Sequence, residues 1–387
     1  MLSAGRRDRQ IKVAALQSLR REVTIRSTAM VNESEKGQGP RGPGERRRRV
    51  RYSGTHPRRF EERYKELQPD RYPQMQEHVR AQGRTPAGTH VPVLLREVLE
   101  CLRPQPGDVV VDCTLGYGGH AAEFLKRIGP DGRLVGLDVD GQEIERTRVR
   151  LEGMNFRLSA RRMNFAQVAQ AVKSERLDAC DVIFADLGVS SMQLDEPARG
   201  FSYKRDGPLD MRMDNRLRRT AADLLATLPP EELAAALREL SDEPDAERIA
   251  ERIASERRKR RIARTLELVK LVLAAKGLSP KNPRRDAELH PAARTFQTLR
   301  ILVNGEIANL NRLLLSAPYC LKPGGRLGVL TFHSIEDRLV KRAFRDGLRG
   351  GVFEAVSEEP IRPPAEEIRD NPRSSPAKFR WARRPTP

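Results

Sequence analysis

The chain has 387 residues, long enough for one large domain or two smaller ones with a real core. Basic residues outnumber acidic ones by 72 to 53, a net charge of +19 that favours polyanionic partners. Apolar runs fall short of the roughly 18 to 20 residues a bilayer crossing needs, no signal-peptide pattern opens the chain, and Cys101, Cys113, Cys180 and Cys320 form no C-x-x-C pair, which argues against membrane, secreted, zinc and disulfide classes.

In chain order, residues 1–89 come first, with 21 of the basic residues but only 10 of the acidic ones. The segment includes "GQGPRGPGERRRRVR" and too few aliphatic clusters to offset its ordering entropy, so a disordered basic arm that seeks phosphate is expected there. Its Arg-rich start also fits an organellar transit peptide, with Met30 as a second candidate start. From His90 on, short apolar runs alternate with helical stretches. Strands are expected at 109–114, 134–140, 156–160, 182–187 and 326–332, and helices at 119–128, 142–151, 165–173 and 293–316. That alternation predicts an α/β fold, a parallel sheet with helices on both faces. Between about 220 and 290 only helical periodicity remains, which predicts an all-helical insertion. The expected division is an arm (1–89), a sheet domain (90–206 and 291–387) and a helical domain (207–290).

The stretch "VVVDCTLGYGGH" (109–120) runs a buried strand into Gly116, Gly118 and Gly119 at the start of a helix. Glycines there let the backbone turn sharply and approach a ligand, and the helix start offers free amide donors. Asp138, nineteen residues after Gly119, closes the next strand where a carboxylate receives the hydroxyls of an adenosine ribose. Dinucleotide and S-adenosylmethionine enzymes share this layout. Asp112, placed before the glycines, favours the second, because it attracts a sulfonium and an ammonium group but repels a pyrophosphate.

"HVPVLLREVL" (90–99), "DCTLGYGGH" (112–120), "GLDVD" (136–140), "DLGVSSMQLDEPARGFSYKRDGPLDMRMD" (186–214), "RTFQTLRILVNGEIANL" (294–310) and "FHSIEDRLVKRAF" (332–344) together resemble the RsmH/MraW family. These are bacterial methyltransferases acting on N4 of a cytosine in small-subunit ribosomal RNA, and the resemblance spans residue 90 to the C-terminus. It implies a Rossmann-like methyltransferase sheet with S-adenosylmethionine as cofactor. Gly118, Gly119 and His120 match the family's cofactor-binding glycines and histidine, Asp138 its ribose acid, and Phe165 an aromatic near the adenine. Asp186 and Gln193 match further cofactor contacts. The "NPRSSPAKFR" stretch (371–380) departs from the family's tail by Pro376 and a missing arginine, which puts RNA affinity through that tail in question.

Methylating an exocyclic amine requires a group that accepts its hydrogen. Asp186, with the Leu187 carbonyl, is the expected acceptor, the alternative being a cofactor contact only; Ser190 or Ser191 is expected to orient the base. In the charged loop 205–214, Asp206 and Arg212 are expected in the substrate pocket. His333 reads as either a base or part of a capping turn, with Ser334 as the expected cap of the following helix. The histidines are too dispersed for an expected metal site. The run Arg257–Arg261 is a solvated face or an RNA grip. Expected partners are ribosomal RNA or the small ribosomal subunit, without membrane, in the cytoplasm, with a homodimer as a candidate assembly. The competing readings are a methyltransferase with another substrate, an RNA-binding assembly factor, and a nicotinamide dehydrogenase.

Overall fold

Helix α1 (Leu95–Leu102) leads into strand β1 (Val109–Asp112), whose Val110 and Val111 are buried as expected of a strand covered on both faces. The computed structural model describes residues 92–152, 156–279 and 289–386, all in one compact unit. The basic arm expected at 1–89 and Met30 lie outside the described residues. After β1 the chain alternates through α2 (Gly119–Ile128), β2 (Arg133–Asp138), α3 (Gly141–Glu152), β3 (Arg157–Arg162), a 3-10 turn at Phe165–Gln167, α4 (Val168–Ser174), β4 (Cys180–Asp186) and the short α5 (Ser191–Asp195). Six helices then follow: α6 (Ala221–Thr227), α7 (Pro230–Ser241), α8 (Ala246–Arg257), α9 (Thr265–Ala275), α10 (Ala293–Asn304) and α11 (Glu306–Ser316). The sheet resumes with β5 (Leu321–Thr331), α12 (Ser334–Arg349), β6 (Ala355–Val356), α13 (Ala365–Asp370) and β7 (Lys378–Arg383).

The sheet has seven strands in the order β3-β2-β1-β4-β5-β7-β6. The first five are parallel, and β7 runs antiparallel to both neighbours. The order reverses between β1 and β4, and open α/β sheets bind ligands beyond the carboxyl ends of the strands at such a point. Alternate strand residues face opposite sides. Val111, Val135, Ile183 and Val329 pack with Leu313, Val340 and Phe344 on one face, while Val110, Leu134, Phe184 and Leu330 pack with Val98 and Phe124 on the other. The helices between β4 and β5 have a core of their own, built on Leu233, Leu237, Ile249, Ile253, Leu268 and Val272. That core takes in Leu209 and Met211 before the helices and Phe296 and Leu299 of α10, so it runs past residue 290.

Several elements differ from expectation. The helix expected over 293–316 is two, because Gly305 adopts φ 62 and ends α10. Phe165 lies in the 3-10 turn, with the Asn164 side chain accepting the Ala166 N–H, so α4 begins three residues later. α1, α13, β6 and β7 have no counterpart in the expected elements.

Candidate functional site

The strands β2, β1 and β4 lie side by side and end on Asp138, Asp112 and Asp186. Three carboxylates therefore line one stretch of the sheet's carboxyl edge at the switch point. Asp112 is 1% exposed, and its Oδ1 accepts the Thr114 N–H at 3.0 Å. Burial, with Asp138 adding to it, pushes its carboxyl up to about 7. Asp138 accepts the Gly116 N–H at 2.8 Å on Oδ2 and the Asp140 N–H at 2.9 Å on Oδ1, and burial raises it as well. The Asp186 N–H donates to Thr114 Oγ1 at 2.6 Å. Burial first, then Asp112 and Glu336, push its carboxyl up to about 8.

The glycine turn folds because its backbone enters the left-handed region, with φ 46 at Gly116 and φ 72 at Gly118. A Cβ on Gly118 would lie 2.6 Å from Thr147 Cγ2, and one on Gly119 would lie 2.8 Å from Pro92 Cγ. Helix α3 braces the turn: the Thr147 hydroxyl donates to the Gly116 carbonyl at 2.6 Å, and the Arg150 guanidinium donates to the Tyr117 carbonyl. His120, in the first turn of α2, is buried with its ring 4.6 Å from that of Phe184. Its Nε2 is 3.1 Å from the Val93 carbonyl, its Nδ1 is 3.6 Å from Asp186 Oδ2, and burial lowers its pKa to about 4.

The loop after β4 is tied to the cofactor edge through Asp140. Asp140 Oδ2 accepts from Gln193 Nε2 at 3.2 Å and from Arg199 Nη1 at 2.6 Å. The other arm of Arg199 donates to the carbonyls of Arg212 and Met213 at 3.2 and 3.1 Å. Ser190 is the N-cap of α5: its Oγ accepts the Gln193 N–H at 3.1 Å, and Gln193 Oε1 accepts the Ser190 N–H at 3.1 Å. Ser191 opens the same helix. Phe165 is half-buried against the sheet core. Asp112, Gly116, Gly118, Gly119, His120, Asp138 and Asp186 are thus brought together, with Gln193 joined to them through Asp140.

Asp206 and Arg212 are placed differently. Asp206 is 40% exposed and accepts from Arg264 Nε at 2.7 Å, at the start of α9. Arg212 forks onto Asp210 with two bonds of 2.8 Å and donates to the Leu217 carbonyl at 2.7 Å. These bonds hold the loop to itself and to the helices rather than to the three acids. The cap of α12 is His333, one residue before the expected Ser334, with Nδ1 accepting the Glu336 N–H at 3.4 Å. Among the described residues, Glu306, His333 and Glu336 bring ligand atoms within 4.8 Å of one another. Arg300 forks onto both Glu306 oxygens at 2.8 Å, so a guanidinium already serves that carboxylate. Much of the basic run is also internally held: Arg257 bonds the Leu225 carbonyl at 2.9 Å, Arg260 pairs with Glu256 and Glu267, and Arg261 pairs with Asp223. In the tail, Arg373 pairs with Asp195 and Arg380 with Asp337.

The sequence shows each of the three acids but not their alignment, although "VVVD", "LVGLD" and "VIFAD" all end on aspartate. Asp140 and Arg199 were missed, because no local spacing signals a bond across 59 residues.

The donor set discriminates between adenosine ligands. Buried carboxylates whose pKa values rise toward neutrality lack enough positive charge nearby, and a ligand bearing a sulfonium and an ammonium group supplies it. A pyrophosphate would add to the repulsion. With β7 inserted antiparallel beside β5, the fold and this edge define an S-adenosylmethionine-dependent methyltransferase. Residues 87–385 match the MraW methylase family model. Over 340 residues the chain is 45% identical to ribosomal RNA small subunit methyltransferase H 1 of Lachnoclostridium phytofermentans, covering 87% of this chain and 92% of that protein. It is 44% identical over 342 residues to ribosomal RNA small subunit methyltransferase H 2 of Alkaliphilus metalliredigens, covering 87% and 97%. A solved rRNA methylase from Streptococcus thermophilus aligns over 76% of this chain and 94% of its own, at 10% identity and a TM-score of 0.35. The chain belongs to the MraW methylase family.

Proposed function

We propose that this protein methylates N4 of a cytidine in small-subunit (16S) ribosomal RNA and that Asp186 accepts the hydrogen of the target amine. The observation that carries the assignment is the position of Asp186: it ends β4 at the switch point, beside Asp112, with burial holding its carboxyl near pH 8. A general base works best with a pKa near the operating pH. The bound donor supplies an activated methyl group on a cationic sulfur.

The chain's own residues do the rest. The left-handed turn at Gly116 and Gly118, with Gly119 free of a side chain, lets the backbone approach the donor. Asp138 keeps lone pairs for the ribose hydroxyls beyond its bonds to Gly116 and Asp140. Asp112 faces the donor's positive charge, and the 3-10 turn offers Phe165 to the adenine. Gln193 contributes by fixing Asp140, His120 by packing under the turn, and Ser190 by starting α5, with Ser190 or Ser191 orienting the base. Helices α6 to α9 form the substrate-side lobe, with Asp206 and Arg212 setting the shape of its loop. RNA bases are readable where strands are open, so the cytosine enters unstacked. No helix among the described residues is long and apolar enough to cross a membrane. The cytoplasm is the proposed location, with the small ribosomal subunit as partner and a homodimer as assembly.

Asp186→Asn is the test. Calorimetry on the variant is expected to show retained S-adenosylmethionine binding, and mass spectrometry of small-subunit RNA nucleosides to show loss of N4-methylcytidine formation. Unchanged turnover would remove Asp186 from this role.

A further inference from the structure

We propose that His120 is a positioning residue for the proton released by the target amine: its Nδ1 lone pair receives a hydrogen bond from the acid form of Asp186. This rests on the reading of Asp186 as the acceptor of that proton. The tautomer follows from the partners. The Val93 carbonyl can only accept, and it lies 3.1 Å from Nε2, so Nε2 carries the hydrogen and Nδ1 carries a lone pair. That lone pair faces Asp186 Oδ2 at 3.6 Å, beyond a formed hydrogen bond but within the closure expected when a site fills. The ring has little freedom to turn away, because it is buried against Phe184 and anchored at Val93.

The proton balance gives the contact its purpose. As the bond from N4 to the methyl carbon forms, the carbon–sulfur bond breaks and its electron pair stays on sulfur. N4 then carries one hydrogen too many, and that proton passes to a carboxylate oxygen of Asp186. The resulting carboxylic acid is neutral and has a hydrogen to donate. The charged groups facing it are Asp112 from β1 and Glu336 from α12, which act on it through their negative charge and favour the protonated form, and neither is hydrogen-bonded to the Asp186 carboxyl. His120 is the neutral acceptor in that shell, and its burial keeps it uncharged, so the proton stays on Asp186 until products leave. The histidine of the turn thereby links the cofactor edge to the substrate's leaving proton.

The test uses the full-length protein saturated with S-adenosylhomocysteine, the demethylated form of the donor, so that the site is filled and no methyl group is transferred. The carboxylic-acid carbonyl band of Asp186, assigned by its loss in Asp186→Asn, is followed by difference infrared spectroscopy as pH rises. In His120→Gln the side-chain amide still donates to Val93 but offers no acceptor at the Nδ1 position. The acid form of Asp186 then loses a hydrogen bond, and its titration midpoint is expected to fall by about one pH unit, a tenfold change in proton affinity. His120→Asn, with an amide oxygen near the Nδ1 position, is expected to recover much of that shift. The rising limb of kcat/KM against pH is expected to move with the infrared midpoint. A midpoint that stays put in His120→Gln overturns the proposal, as does nitrogen-15 NMR of the unaltered protein showing hydrogen on Nδ1 rather than Nε2. Unchanged turnover in Asp186→Asn overturns instead the role of Asp186, which the infrared titration does not measure.

Discussion

Asp112→Asn should make the ligand-free protein more stable while weakening its hold on S-adenosylmethionine. The amide oxygen of asparagine still accepts the Thr114 N–H, so the perturbation removes charge and little else. Asp112 moves from an ordinary 3.8 in the unfolded chain to about 7 in the folded protein. A folded-state pKa above the unfolded one means that the native protein binds the extra proton. Native stability is therefore fully present below about pH 4 and is lost as pH rises through 7. At about 1.36 kcal/mol per unit, a shift of roughly three units corresponds to something on the order of 4 kcal/mol above pH 7. The variant escapes that loss, so its advantage should be about 1–2 kcal/mol near pH 5 and approach about 4 kcal/mol near pH 8. Asp138 and Asp186 titrate together with Asp112, which spreads the change over a wider pH range. Urea unfolding of both proteins across this range measures the difference, and calorimetry at pH 8 measures the donor's affinity. Parallel stability curves for the two proteins, or a variant less stable at pH 8, would falsify the assignment of Asp112 as a buried charge awaiting a cationic ligand.

Two further substitutions examine the turn and the loop that face this edge. Gly118→Ala forces a side chain into φ 72 and against Thr147, so a loss of at least about 1–3 kcal/mol in urea is expected, together with weaker donor binding; wild-type values in both assays would show that the turn tolerates a Cβ. Arg199→Lys keeps a positive charge for Asp140 but cannot also reach the carbonyls of Arg212 and Met213. With two hydrogen bonds lost at about 1 kcal/mol each, RNA affinity is expected to fall by about tenfold or more while donor affinity changes little, and equal losses in both titrations would contradict the division of labour.

The residues that sequence made legible are those whose role is set by their own strand or turn. Asp112, Asp138 and Asp186 each close an apolar run, and the glycines must lie where the chain bends, so local pattern was enough for both. Ser190 shows the limit of such reading: a serine near the site suggests orienting a base, yet its hydroxyl is engaged by the Gln193 N–H in a cap. His333 and Ser334 differ by one position, which is within the uncertainty of any helix start until the cap bond is seen. Arg199 was hidden because its partners lie in separate loops. β7 was hidden by charge. Lys378, Arg380 and Arg383 interrupt its apolar residues, and the Asp337 carboxylate together with the Glu358 carbonyl explains how Arg380 is buried in a sheet.

The place of β7 also orders events during synthesis. β5 is complete at Thr331, yet the strand that covers its free side begins at Lys378, after α12, β6 and α13 have emerged. While those residues are being added, the nascent sheet carries a long uncovered margin of unpaired amides and carbonyls, the kind of template on which chains associate wrongly. β6 cannot shield it, because its pairing is to β7 and not to β5. Chaperone dependence and aggregation during expression should therefore concentrate in chains that stop short of this strand, even though every residue of the methyl-donor edge has already been made.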